Sequence, residues 1–176
     1  MIIHTAQDHK GDLSKFLEDF TYQPNLTRKL DNLPDSPFSQ EIINEIVLWK
    51  VNRYAQIDDL VRSDLHTLRT LKAGEHGKGK KVLLQLLECS GVDLPMASTI
   101  LRFQNANVFQ IIDSHAYRAV LGEAYPLYSA SSTKRKISTY FDYLDALHRL
   151  ARSSTALFRD LDRILYIFDK EKNGTL

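Results

Sequence analysis

Asp113 stands where an apolar run ends and a helix begins. In "VFQIIDSHAYRAV", residues 108 to 120, Val108 to Ile112 read as an extended strand-like stretch, after which the apolar spacing becomes that of an amphipathic helix. A carboxylate at that junction accepts the orphan amides of the first helical turn, from Ala116 or its neighbours. Those bonds favour the charged form and fix its direction. Asp, Ser and Asn cap helices anywhere, so Asp113 is a cap on one reading. A fixed, ionised carboxylate can also stabilise a positive charge that develops during a reaction, and the two roles are compatible. Ser114 reads as a second cap group. His115 either orients Asp113, touches a phosphate, or is a satisfied structural histidine.

The segment that must position this aspartate lies just upstream. "KKVLLQLLECS" and "MASTILRFQ" have helical apolar spacing and are joined by "GVDLP". Gly91 permits a tight turn, Val92 and Leu94 point inward, and Pro95 opens the second helix, giving a helix-hairpin-helix. The first amides of that second helix, including those of Met96 and Ala97, form a ready phosphate site that reads backbone and not base sequence. Two basic knots add local charge. Lys72, Lys78, Lys80 and Lys81 face only Glu75 between residues 72 and 81, and Lys134, Arg135 and Lys136 form the second. Such runs are solvated faces or phosphate contacts.

Taken together, the hairpin and the aspartate segment resemble the helix-hairpin-helix DNA glycosylase superfamily of the endonuclease III and MutY type. Gly91 and Val92 match the hairpin, Ala97, Ile100 and Leu101 the following helix, and Asp113, His115 and Arg118 the catalytic-aspartate segment. The resemblance covers roughly Lys81 to Leu121. It implies an all-α, glycosylase-like fold that binds lesion-bearing double-stranded DNA and hydrolyses an N-glycosidic bond. Asp113, with His115, would act against the oxocarbenium-like charge on the sugar. Lys78, Lys80, Lys81, Gly91, Met96, Ala97 and Arg118 would hold the DNA. Trp49, Lys50, Arg53, Tyr54 and Gln56 mix aromatics with donors and would line a flipped-base pocket, unless they are half-buried packing with snorkelling tips.

The sequence departs from that pattern at two hairpin positions. Pro95 stands where strand-cleaving relatives carry a Schiff-base lysine, which implies water as nucleophile, or a lysine from elsewhere such as Lys50. Asp93 replaces the second hairpin glycine; aspartate tolerates a left-handed backbone, but its charge lies where a phosphate would approach. Relatives hold a monovalent cation on hairpin carbonyls, which here would be structural.

The rest of the chain sets the frame. With 43% apolar and 26% charged residues in 176, composition is globular, and the expectation is one domain spanning 1-176. Net charge is +1, so any nucleic-acid affinity must come from local charge. Cys89 alone can make no internal disulfide and no iron-sulfur or zinc cluster, and the histidines lack metal-ligand spacing. The start "MIIHTAQDHKGDLSKF" does not read as a signal peptide, and no apolar run is membrane-long. The expectation is a soluble intracellular monomer, cytoplasmic or nucleoid-associated, with no membrane partner.

Scarce β-type alternation predicts an almost wholly helical fold. A helix is expected near Leu13 to Phe20, then a loop-rich connection through "TYQPNLTRKLDNLPDSPF". A Ser36-Pro37 start should open a helix that buries Ile42, Ile43, Ile46, Val47 and Val51. "IDDLVRSDLHTLRTLK" should be a helix closed by a turn at "AGEHGKGK". Two long final helices are marked by Ile137, Tyr140, Leu144, Leu147 and Leu150, and by Leu157, Leu161, Ile164 and Phe168. Met96, Tyr128, Tyr140 and Tyr143 read as core. Beside the glycosylase stand two other readings: a non-catalytic nucleic-acid-binding module that keeps the hairpin, and a helical protein-interaction domain.

Overall fold

The computed structural model describes residues 11–12, 17–18, 21–34, 36–51 and 55–174, and all regular elements among them are helical. The all-α expectation holds. The chain clusters into two compact units, Met1–Tyr54 and Ala55–Leu176.

In the first unit, α1 spans Pro24–Asp31 and α2 spans Gln40–Lys50. The loop-rich connection expected there is therefore half helix. Pro24 occupies the first helical position, where its missing N–H costs nothing, so it starts the element rather than breaking it. The cap of α2 is Ser39 and not Ser36: the Ser39 hydroxyl accepts the Ile42 amide at 3.4 Å. Its aliphatic face is not core, for Ile43, Val47 and Val51 are exposed and no α2 residue is buried. The helix expected near Leu13 to Phe20 lies largely outside the described residues.

The second unit holds α3 (Asp59–Thr67), α4 (Lys80–Glu88), α5 (Leu94–Gln104), α6 (Ser114–Leu121), α7 (Thr133–Ser153) and α8 (Leu161–Asn173). Asp58 caps α3 by accepting the Val61 amide at 2.8 Å, and Ser132 caps α7. The "AGEHGKGK" segment is not only a turn: His76–Gly79 form a 3-10 turn that runs into α4. Gly79 is needed there for closeness, because a Cβ would lie 2.6 Å from Cζ of the fully buried Phe109. Gly122 ends α6 at φ 75, its amide donating to the Arg118 carbonyl at 2.9 Å.

Leu83 and Leu86 of α4, Leu94, Ala97 and Leu101 of α5, and Tyr140, Tyr143, Leu144 and Leu147 of α7 form the core with Phe109 and Ile112. Tyr140 and Tyr143 are buried as expected, Met96 packs against the core, and Tyr128 is 66% exposed instead of buried. The last helix also turns a different face inward. Leu161, Asp162, Leu165 and Asp169 are buried, while Ile164, Ile167 and Phe168 are exposed. Leu157 is exposed too. Counting aliphatics alone selects the wrong side, because two aspartates belong to the inward stripe.

Candidate functional site

The apolar run before Asp113 is not the strand-like stretch expected: Val108 lies in a turn and residues 109–112 form neither helix nor strand, with Val108, Phe109, Gln110 and Ile112 buried and Ile111 half-buried. The Val108 and Phe109 amides donate to the Asn105 carbonyl, and the groups that follow are met by side chains, as burial demands. The Tyr140 hydroxyl donates to the Gln110 carbonyl at 2.9 Å and the Tyr143 hydroxyl to the Ile111 carbonyl at 2.8 Å. The Ile111 amide donates to Asp162 Oδ2 at 3.4 Å and the Ile112 amide to Ser98 Oγ at 3.2 Å. Gln110, itself fully buried, turns its amide group back onto the Ala106 and Phe109 carbonyls, both at 2.8 Å. Residues from α5, α7 and α8 thus fix the run that delivers Asp113.

Asp113 caps α6, as its sequence position predicts. Its Oδ1 accepts the Ala116 amide at 2.7 Å, and no other hydrogen bond or ion pair among the described residues engages the carboxylate. The residue lines an open cleft of about 370 Å³ together with Ile111, Asp162, Arg163, Tyr166 and Ile167. Asp162 is committed inside this wall. It takes the Arg163 amide at 2.7 Å and lies 3.4 Å from the Arg102 guanidinium.

His115 and Arg118 do not join Asp113; both turn to Asp169 of α8. His115 Nδ1 is 2.7 Å from Asp169 Oδ2, and Arg118 meets the same carboxylate with Nε at 2.9 Å and Nη2 at 2.8 Å. Arg118 also donates to the Gly174 carbonyl at 3.0 Å. Asp169 is fully buried, and Asn173 donates to it at 2.7 Å. Hydrogen bonding from Arg118 holds the Asp169 carboxyl well below the usual carboxylate range, with Asn173 and His115 adding to it against the opposing effect of burial. The pair clamps α6 to α8, which is a structural duty. The aspartate that organises it was not among the sequence candidates, although its i, i+4 spacing to Asn173 and two helix turns to Asp162 lay open to inspection.

The turn between α4 and α5 places Gly91 at φ 80, as the hairpin reading requires, and buries Val92 and Leu94. Asp93 needs no left-handed backbone, because its φ is −112 and it is the cap of α5. Its Oδ1 accepts the Leu94 amide at 2.7 Å and also meets Lys136 Nζ at 2.7 Å, while Lys136 donates to the Ser129 carbonyl at 2.8 Å. Pro95 has no N–H, and the Ala97 amide is taken by the Asp93 carbonyl at 2.9 Å. The anion site expected around Met96 and Ala97 thus has its first amide, that of Leu94, taken by the chain's own carboxylate, which is neutralised by one lysine of the second basic knot, and its Ala97 amide taken by a backbone carbonyl.

The first knot is similarly divided. Lys78 pairs with Glu75 at 2.5 Å and Lys81 with Asp64 at 2.7 Å, whereas Lys80 has no such partner among the described residues. In the N-terminal unit, the Trp49 indole N–H donates to Thr27 at 2.8 Å and its ring meets Tyr22 edge-on, so it is packed with its polar tip satisfied. Lys50 is exposed, and Arg53 and Tyr54 lie outside the described residues. Gln56 belongs to the second unit, where its amide donates to the Ser90 carbonyl at 3.2 Å. Arg163, Tyr166 and Ile167 are the cleft residues that sequence reasoning missed. They lie on the face of α8 that the aliphatic count had turned inward or ignored.

Among the described residues no three or more of His, Cys, Asp and Glu are grouped to hold a metal ion, and no helix is long and apolar enough to cross a membrane. Compared with family models, curated proteins and solved structures, the chain matches none of them.

Proposed function

We propose that this protein is a nucleic-acid N-glycosidase in which Asp113 stabilises the cationic sugar and orients a water for attack. The observation that carries the reading is the state of that carboxylate: one oxygen is fixed by a helix amide at 2.7 Å, the other has no partner among the described residues, and the residue lines an open cleft. A fixed anion beside a cavity is what an oxocarbenium-like transition state requires. The Tyr166 ring and Ile111 offer an apolar wall for an extruded base, and Arg163 offers a cation for a neighbouring phosphate. Backbone grip would come from Arg163 and not from the start of α5, where the Asp93 carboxylate takes the Leu94 amide and its charge opposes a phosphate.

A panel of lesion-bearing duplexes incubated with the protein and with Asp113→Asn tests this. Asn caps a helix as well as Asp, so the variant keeps the α6 start while losing the charge. Base release by the native chain, reduced in the variant by about a hundredfold or more, is the expected result. Undiminished release in the variant rules the proposal out.

The self-capped hairpin favours a second reading, a non-catalytic module that binds nucleic acid weakly. It predicts salt-dependent duplex binding without base release from any lesion.

A further inference from the structure

The two basic knots, far apart in sequence, meet at one cavity. Lys80 and Leu84 on one edge of α4, Gly77 just before it, and Thr133, Lys134, Ile137, Ser138, Phe141 and Asp142 on one face of α7 line an open cavity of about 470 Å³. Leu84, Ile137 and Phe141 supply an almost wholly apolar interior. Of the lysines in these knots, Lys78, Lys81 and Lys136 are tied to carboxylates; of the three that have no ion pair among the described residues, Lys72, Lys80 and Lys134, the last two line the cavity. Asp142 is the single acid on the lining, leaving one positive charge in excess. Both lysines stand in the first turn of their helices, where no acid is present and where a cation opposes the helix dipole. That arrangement raises the energy of the empty site and is relieved by an anion.

We infer that this cavity binds a small amphipathic acid, a hydrocarbon body lodged against Leu84, Ile137 and Phe141 with one anionic head group between Lys80 and Lys134. A nucleobase fits the interior less well, since its polar edge would find few partners there. The site is separate from the Asp113 cleft, and its occupancy is independent of any glycosidase activity.

Decanoate is the probe, titrated into the full chain and followed by amide chemical shifts. Shifts should gather at Gly77, Leu84, Ser138 and Phe141. Lys80→Gln combined with Lys134→Gln should weaken binding by roughly tenfold, the loss expected of a hydrogen bond to a charged group. Leu84→Asp, at an exposed position, should weaken it as well, whereas Lys78→Gln with Lys81→Gln should not. Decanol, with the same tail and no charge, should bind more weakly than decanoate. Equal binding of decanol, an unaffected Lys80 and Lys134 variant, shifts gathered at Ile111, Arg163 and Ile167, or no shifts at all would each overturn the inference. So would displacement of decanoate from these amides by a short DNA duplex, which would give the two lysines to a phosphate backbone.

Discussion

At the scale of single residues, the most consequential charge is the one buried beside Arg118. Asp169 has a carboxyl pKa lowered by Arg118, Asn173 and His115, so the folded state binds its proton less readily than the unfolded chain does. Its contribution to stability is therefore complete above the unfolded value, near pH 4, and is lost as pH falls towards the folded value. Acid titration of unfolding should show this loss below about pH 4 in the native chain. Asp169→Asn should start less stable at neutral pH and show a flatter acid limb; an unchanged limb would mean the clamp contributes nothing. Tyr143 makes a complementary case. Its hydroxyl pKa is pushed up, chiefly by burial, and the hydroxyl is the partner of the Ile111 carbonyl. Tyr143→Phe leaves that part-buried carbonyl without its partner, and should cost about 0.5–1.5 kcal/mol in chemical denaturation.

At the scale of elements, the legible parts were those set by neighbours in sequence. The cap at Asp113, the turn at Gly91 and the proline start of α5 are decided within a few residues, and each stands as read. The misread parts were decided at a distance. The inward face of α8 contains Asp162 and Asp169, whose partners Arg102, Arg118, His115 and the Ile111 amide come from other elements, so hydrophobic periodicity had no means of counting them. For the same reason the placement of His115 and Arg118 away from Asp113 was hidden. Three prolines obscured α1, although one of them was its start. Gly79 offers a test at this scale. Adding a methyl group there drives it into Phe109, which is enclosed on all sides, and Gly79→Ala should destabilise the protein by about 1–3 kcal/mol despite a backbone that alanine accepts. A thermal melt checks it.

Across the whole molecule, the core cluster from Val61 to Leu165 lies entirely within the second unit. Residues 55–176 expressed alone should accordingly keep their helical circular dichroism and unfold in one cooperative transition. A gradual, uncooperative melt would show that the core is insufficient. The described N-terminal segment, by contrast, buries one large aliphatic, Leu26, and exposes Ile43, Val47 and Val51 of the face that periodicity had turned inward. The legibility of the fold class and the obscurity of the site have one cause. Composition and periodicity report how much is buried, whereas the cleft depends on which long-range polar pairs close around residues 108 to 113.

Those long-range pairs also impose an order in time. On the ribosome Asp113 emerges before Tyr140, Tyr143, Asp162 and Asp169, the residues whose side chains pin the preceding run and hold α6 against α8. A nascent chain that has displayed its aspartate and its hairpin therefore still lacks the cleft. The cleft is completed late in synthesis, and a chain halted between α6 and α8 carries the aspartate without the α8 wall that faces it.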